Sequence, residues 1–214
     1  MFAEKLHSIY IYGSVGRGEA VAYKSDLDLT VIVKSPTTLA EKNELNEKTL
    51  SLLRRHKEII KIDYDIGESK EALAQENLYE WGFWLRHMCT CIYGEDISTT
   101  FPRMKANEKI SAALNRDLFK LTDFYRQALN NENMPEVTKR TILKRIIRGA
   151  YLKINVEDES WSTKVDENLM ILQLHFPNEE LFEKIKLIKS SDKPIKNSEL
   201  IEILEKFKLW LKNI

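Results

Sequence analysis

Short stretches of strict alternation open the chain, and longer stretches of helical period fill the rest of it. Ile9-Tyr10-Ile11-Tyr12 is a β-branched and aromatic run stopped by Gly13, the pattern of a strand that ends in a tight turn. In residues 26–33, DLDLTVIV, an extended chain puts Leu27, Leu29, Val31 and Val33 on one face and Asp26, Asp28 and Thr30 on the other. Residues 38–57 space Leu39, Leu45, Leu50 and Leu53 as the apolar stripe of a charged helix. EIIKIDYDIG then alternates again, with Ile60, Ile62, Tyr64 and Ile66 to one side and Lys61, Asp63 and Asp65 to the other.

From Ser69 onward the period is helical. Residues 71–93 carry Leu73, Leu78, Trp81, Phe83, Trp84 and Leu85, which predict an aromatic-rich helix or helix pair ending near Gly94. Pro102 breaks the pattern, and residues 107–130 predict a single amphipathic helix. Pro135 marks the start of a basic helix over 138–154, and further helices follow over 165–175, 178–189 and 197–213. The natural boundary lies near residue 100. The expected fold is therefore α+β, with a small mixed β-sheet and flanking helices over 1–100 and an all-α helical bundle domain over 101–214.

Composition narrows the partners. The chain has 33 basic and 33 acidic side chains, a net charge of zero, with 43% hydrophobic and 31% charged residues in 214. A protein that grips a long nucleic acid carries a basic excess or a basic face, so the balance favours a small substrate over nucleic acid. Cys89 and Cys91 are too close for an unstrained disulfide and too few for a structural zinc site, and are expected as reduced thiols on or near an apolar helix. The first residues lack the features of a signal peptide, and no apolar run approaches the roughly 20 residues of a membrane span. A cytoplasmic setting without membrane contact is the expectation.

The chemistry gathers in the first third. Gly13-Ser14 is followed, eleven residues later, by Asp26-Leu27-Asp28. Two carboxylates at i and i+2 of a strand point to one side, where they can share hard divalent cations with substrate phosphates. Gly13 lets backbone N–H groups approach a triphosphate, Ser14 adds a hydroxyl donor, and Arg17 can reach a phosphate as a planar cation. Asp63 or Asp65 supplies a third carboxylate from the next strand, and spacing does not choose between them.

This ordered set, IYGSVGRGEAVAYKSDLDLTVIV, resembles the signature of the DNA polymerase β-like nucleotidyltransferase superfamily. Its RGE and Ser25 match the same pattern, and CIYGED at 91–96 is similar to a segment that closes the head in many members. The resemblance is strong over residues 9–33 and moderate over 59–66. It is nearest to minimal and antibiotic-type enzymes with a helical C-terminal domain. It implies that Gly13 and Ser14 hold the β- and γ-phosphates and that Asp26 and Asp28 bind Mg²⁺, with two ions in the site. It also implies Asp63 as the third metal carboxylate, with Asp65 in reserve. The expected reaction is transfer of a nucleoside monophosphate, AMP from ATP by preference, to a hydroxyl of a small molecule such as an aminoglycoside or lincosamide, with release of pyrophosphate.

Other positions are expected around this centre. Lys144 and Arg148 share one face of the basic helix, with Arg145 beside them, and are candidates for a cationic wall facing the triphosphate. Glu95, Asp96, Asp117 and Asp123 are candidates for the base, and Trp161 for a stacking ring. Trp81, Phe83, Trp84 and Trp210 read as core, and no histidine has ligand spacing. A homodimer could complete the cleft. Two other readings compete: nucleotidylation of a protein or RNA end, against which the long helical tail argues, and a non-catalytic nucleotide-binding module, against which the retained acids argue.

Overall fold

The computed structural model describes residues 4–131 and 134–214. The chain divides into two compact units, Met1–Met104 and Lys105–Ile214.

The first unit is built on a four-stranded mixed sheet of order β3-β2-β1-β4. Its strands are β1 (Leu6–Tyr12), β2 (Leu27–Val33), β3 (Ile62–Glu68) and β4 (Thr90–Gly94). β1 runs antiparallel to both β2 and β4, whereas β2 and β3 are parallel. A parallel pair needs a crossover, and the helix α2 (Leu39–Arg55) supplies it. Thr38 starts α2 with a reciprocal cap, its hydroxyl accepting from the Glu41 N–H while the Glu41 carboxylate accepts from the Thr38 N–H. That cap and Lys5 hold the Glu41 carboxyl down at about 2. Leu52 and Leu53 of α2 line a small cavity with Leu27 and Ile62, and Thr49 bonds the Tyr64 hydroxyl at 2.9 Å. The apolar face read from the alternation is thus the face under α2.

The opposite face is covered by residues 69–88, where the chain departs from expectation. After the single turn α3 (Ser69–Ala72) it does not run as a regular helix. Residues 78–82 and 84–88 form two wide, π-type turns, and the chain then straightens into β4. Cys91 therefore lies on a strand, and the helix expected to run to Gly94 stops at Met88. Ala72, Leu85, Ile97 and Phe101 pack with Tyr10 and Ile32 into the core of this side. Ile60, expected in β3, lies before it and is exposed.

The second unit is all-helical: α4 (Glu108–Leu114), α5 (Leu118–Asn131), α6 (Glu136–Ile154), α7 (Val165–His175), α8 (Glu180–Ser190) and α9 (Asn197–Asn213). α6 is the central element, with Ile142, Leu143, Ile146, Ile147, Ala150, Tyr151 and Ile154 all buried in one cluster with residues of α5, α7, α8 and α9. The single helix expected over 107–130 is broken at Asn115–Asp117. There Arg145 of α6 donates to the Leu114 carbonyl, the Asn115 side-chain oxygen and the Asp117 carboxylate, while Asn115 donates to the Gly149 carbonyl. A side chain remote in sequence thus takes up the carbonyl end of α4. Among the described residues, no helix is long and apolar enough to cross a membrane.

Candidate active site

β1 ends at Tyr12, and the chain turns at Gly13 with φ of +68°, a conformation that costs a side-chain-bearing residue about 1 kcal/mol or more. The turn lies directly on β2. A Cβ at Gly13 would stand 2.0 Å from Oδ2 of Asp28, so only glycine fits. The short turn α1 (Gly13–Gly16) follows, closed by the Arg17 N–H on the Gly13 carbonyl and the Glu19 N–H on the Ser14 carbonyl. The connection back to β2 is pinned by the Ser25 hydroxyl, which accepts from the Val21 N–H at 2.9 Å, and by the Leu27 N–H on the Lys61 carbonyl. Asp26 sits at the end of that connection, one residue before β2.

Register orders the acids. Tyr12 pairs with Asp28 across β1 and β2, Asp28 with Asp63 across β2 and β3, and Thr30 with Asp65 one step further in. Paired residues on adjacent strands put their side chains on one face, so Asp28 and Asp63 are immediate neighbours at the mouth of the sheet. Lys61 stands with them. Its ammonium lies 2.6 Å and 2.9 Å from the two carboxylate oxygens of Asp63, and that bond, helped by Asp26 and Asp28, raises its pKa. Carboxylate oxygens are the donors a hard cation takes, and a positive charge already stands among these three. They do not form a closed cage: among the described residues, no three His, Cys, Asp or Glu side chains come together as metal ligands.

Asp65 has other company. Desolvation raises its carboxyl pKa, and the charges of Glu80 and Glu71 raise it further. Above it the face is roofed by aromatics. The Trp84 indole N–H donates to Oγ1 of the fully buried Thr30 at 3.1 Å, and the Trp84 ring meets Tyr12 edge-on at 5.0 Å. Trp81 presses on Gly67, where a Cβ would stand 2.5 Å from its ring. Burial pushes the Tyr12 hydroxyl well above the usual phenol range, and Asp28, Asp65, Cys89 and Asp63 push the same way. Cys89 lies 3.8 Å from the Thr30 hydroxyl, and burial lifts its thiol to about 12, which keeps it un-ionised.

The structure thus brings Gly13, Asp28 and Asp63 together, with Asp26 and Ser14 adjoining in sequence. Arg17 forms an ion pair with Glu19 at 2.8 Å. Lys144 and Arg148 are exposed positions of α6 and belong to the second unit. Asp96 accepts from the Tyr10 hydroxyl and from the Ser98 N–H, Asp117 binds Arg145, Asp123 binds Lys208, and Glu95 lies 3.7 Å from His7. Trp161 packs against the helical core. Tyr12, expected in the first strand, Lys61, expected on the acidic face, and Trp84, expected as core, carry no signal in the sequence for a role at this site. Alternation places the first two on the acidic face, and nothing local in the sequence marks Trp84 as their cover.

Residues 2–79 match the nucleotidyltransferase domain family. Among solved structures, the chain is similar to a spectinomycin adenyltransferase from Enterococcus faecialis, determined with ATP and spectinomycin. The TM-score is 0.59 at 16% identity, covering 96% of this chain and 92% of that one. At that identity the likeness establishes the fold. Among curated proteins no significant match is found.

Proposed function

We propose that this chain, whose residues 2–79 match the nucleotidyltransferase domain family, transfers a nucleoside monophosphate, AMP from ATP by preference, to a hydroxyl of a small cationic acceptor. The observation that carries this reading is the Gly13 turn lying on the Asp28 carboxylate, with Asp63 in register on the next strand.

In this reading Gly13 exposes its backbone to the triphosphate, and Ser14 contributes its hydroxyl to the β- and γ-phosphates. Asp26 and Asp28 hold Mg²⁺, and Asp63 joins them from β3. Held there, Mg²⁺ would supply neutralisation of the phosphate charge. The register supports Asp63 over Asp65 as the third carboxylate, because Asp63 is the direct partner of Asp28 whereas Asp65 pairs with Thr30 beneath Trp84. Arg17 reaches a phosphate by exchanging Glu19 for it, and Ser25 serves by holding the connection that delivers Asp26. A carboxylate of this group takes the proton of the acceptor hydroxyl.

The acceptor follows from charge. Glu80 and Glu71 act on Asp65 beside the aromatic roof, and such a concentration of acid draws a polycation. The spectinomycin and ATP of the similar structure support a small-molecule acceptor and an adenine nucleotide. Two free thiols and the absence of a membrane-spanning helix among the described residues agree with work in the reducing cytoplasm.

The test is pyrophosphate release with each NTP and Mg²⁺ against aminoglycosides, lincosamides and small RNAs. Turnover is expected with ATP and a cationic antibiotic-like acceptor. It should disappear in Asp26→Asn and Asp28→Asn, with melting temperatures within a few degrees of wild type. Activity retained by both variants would place the site elsewhere, and turnover with RNA alone would replace the acceptor.

A further inference from the structure

Lys61 is a basic side chain that the structure places on the acidic mouth of the sheet, in direct contact with a candidate metal carboxylate, Asp63. Its backbone is tied to the start of β2 by the Leu27 N–H on its carbonyl at 2.9 Å, so the residue is anchored beside Asp26 and Asp28. Extended geometry puts Lys61 and Asp63 on the same side two residues apart. The ammonium reaches both oxygens of Asp63, at 2.6 Å and 2.9 Å, and lies in the field of Asp26 and Asp28. The three carboxylates expected to hold a divalent ion do not converge as a ligand set, and Asp63 is in direct contact with an ammonium.

We infer that Lys61 is a built-in counter-cation that competes with the divalent metal ion for Asp63 and so withholds the third carboxylate from it. This rests on the reading that Asp26, Asp28 and Asp63 are the metal's carboxylates. The competition is physically modest. The Lys61 side chain is 62% exposed, and exposed pairs of this kind contribute little. A doubly charged ion therefore displaces the ammonium, at a reduced affinity. The consequence is that metal alone binds weakly, and a metal arriving with the added charge of a triphosphate takes Asp63 more readily.

The experiment measures Mn²⁺ binding to the full chain without nucleotide, by calorimetry and by the electron spin resonance signal of free Mn²⁺. Lys61→Gln is expected to bind Mn²⁺ about threefold to tenfold more tightly than wild type, with the ratio shrinking at high salt. Lys61→Arg, which keeps the charge and can grip a carboxylate with two parallel bonds, should show no gain. In an Asp63→Asn background Lys61→Gln should lose most of its effect, because the contested ligand is gone. Unchanged or weaker binding by Lys61→Gln, together with loss of binding in Asp28→Asn, overturns the competition and leaves the metal site standing. Wild-type affinity in Asp28→Asn overturns the metal site itself.

Discussion

Gly13 and Asp28 are in contact across the β1–β2 turn so closely that a methyl group on Gly13 would stand 2.0 Å from the Asp28 carboxylate oxygen. Gly13→Ala must therefore shift either the turn or the carboxylate, and it must also hold alanine at φ of +68°. The expected result is a destabilisation of about 1–3 kcal/mol. A displaced site of this kind loses about 100-fold in turnover. Urea unfolding and steady-state kinetics on the same preparation separate the two effects. Near wild-type turnover would show that the contact does not serve the chemistry.

The Trp84 indole depends on Thr30 for its hydrogen bond. Thr30→Val keeps the shape and removes the acceptor, leaving an indole N–H under the roof without that partner. That change should cost about 1–3 kcal/mol. In a Trp84→Phe background the same substitution should cost much less, since no donor is left to strand. A double-mutant cycle in urea gives the coupling directly, and additive effects would mean that the bond contributes nothing.

Asp65 gives stability a pH dependence of definite sign. Its folded pKa is raised above the ordinary 3.8 by desolvation and by Glu80 and Glu71, so the folded state binds this proton more readily than the unfolded chain. The stability it contributes is full below the unfolded value and is lost as pH rises through the folded one. Asp65→Asn should therefore raise the melting temperature at pH 7, and the gain should vanish below about pH 4. The same variant should raise KM for a cationic acceptor. A lower melting temperature at pH 7 would contradict the assigned environment.

His87 works in the opposite sense. Its Nε2 accepts the Met104 N–H at 2.9 Å, and the ring stacks on Phe83. Burial, then Arg86 and Arg103, lower its pKa from 6.5, so the folded chain holds it neutral. The stability it supplies is full above 6.5 and is lost as pH falls through the lower folded value. Between pH 7 and pH 5 the urea midpoint of wild type should drop more than that of His87→Gln, which has no group to protonate. Parallel pH profiles for the two proteins would remove His87 from the balance.

Much of the head is legible in the sequence. The period-2 runs place β1, β2 and β3 and sort their faces, because alternation in an extended chain leaves each side chain one choice of two. The order strand, Gly-Ser turn, D-x-D strand and acidic strand carries the resemblance to the superfamily's signature, and residues 2–79 match the nucleotidyltransferase domain family. The helices α6 to α9 follow from their apolar stripes and, for α6, from Pro135. β4 was not legible: it follows an aromatic-rich segment whose apolar density suits a helix as well as a strand, and only its pairing with β1 selects the extended form.

What the sequence by itself determined is the identity and facing of the acids, since these depend on spacing along a single strand. What only the tertiary structure decided is their company. Register across β2 and β3 sets Asp63, not Asp65, beside Asp28. The packing of residues 78–88 turns an apparently solvated face into one roofed by Trp84. Lys61 becomes part of the site because its charge finds Asp63 in space. Each of these rests on which remote side chain fills or neutralises a given position, and local periodicity carries no information about that.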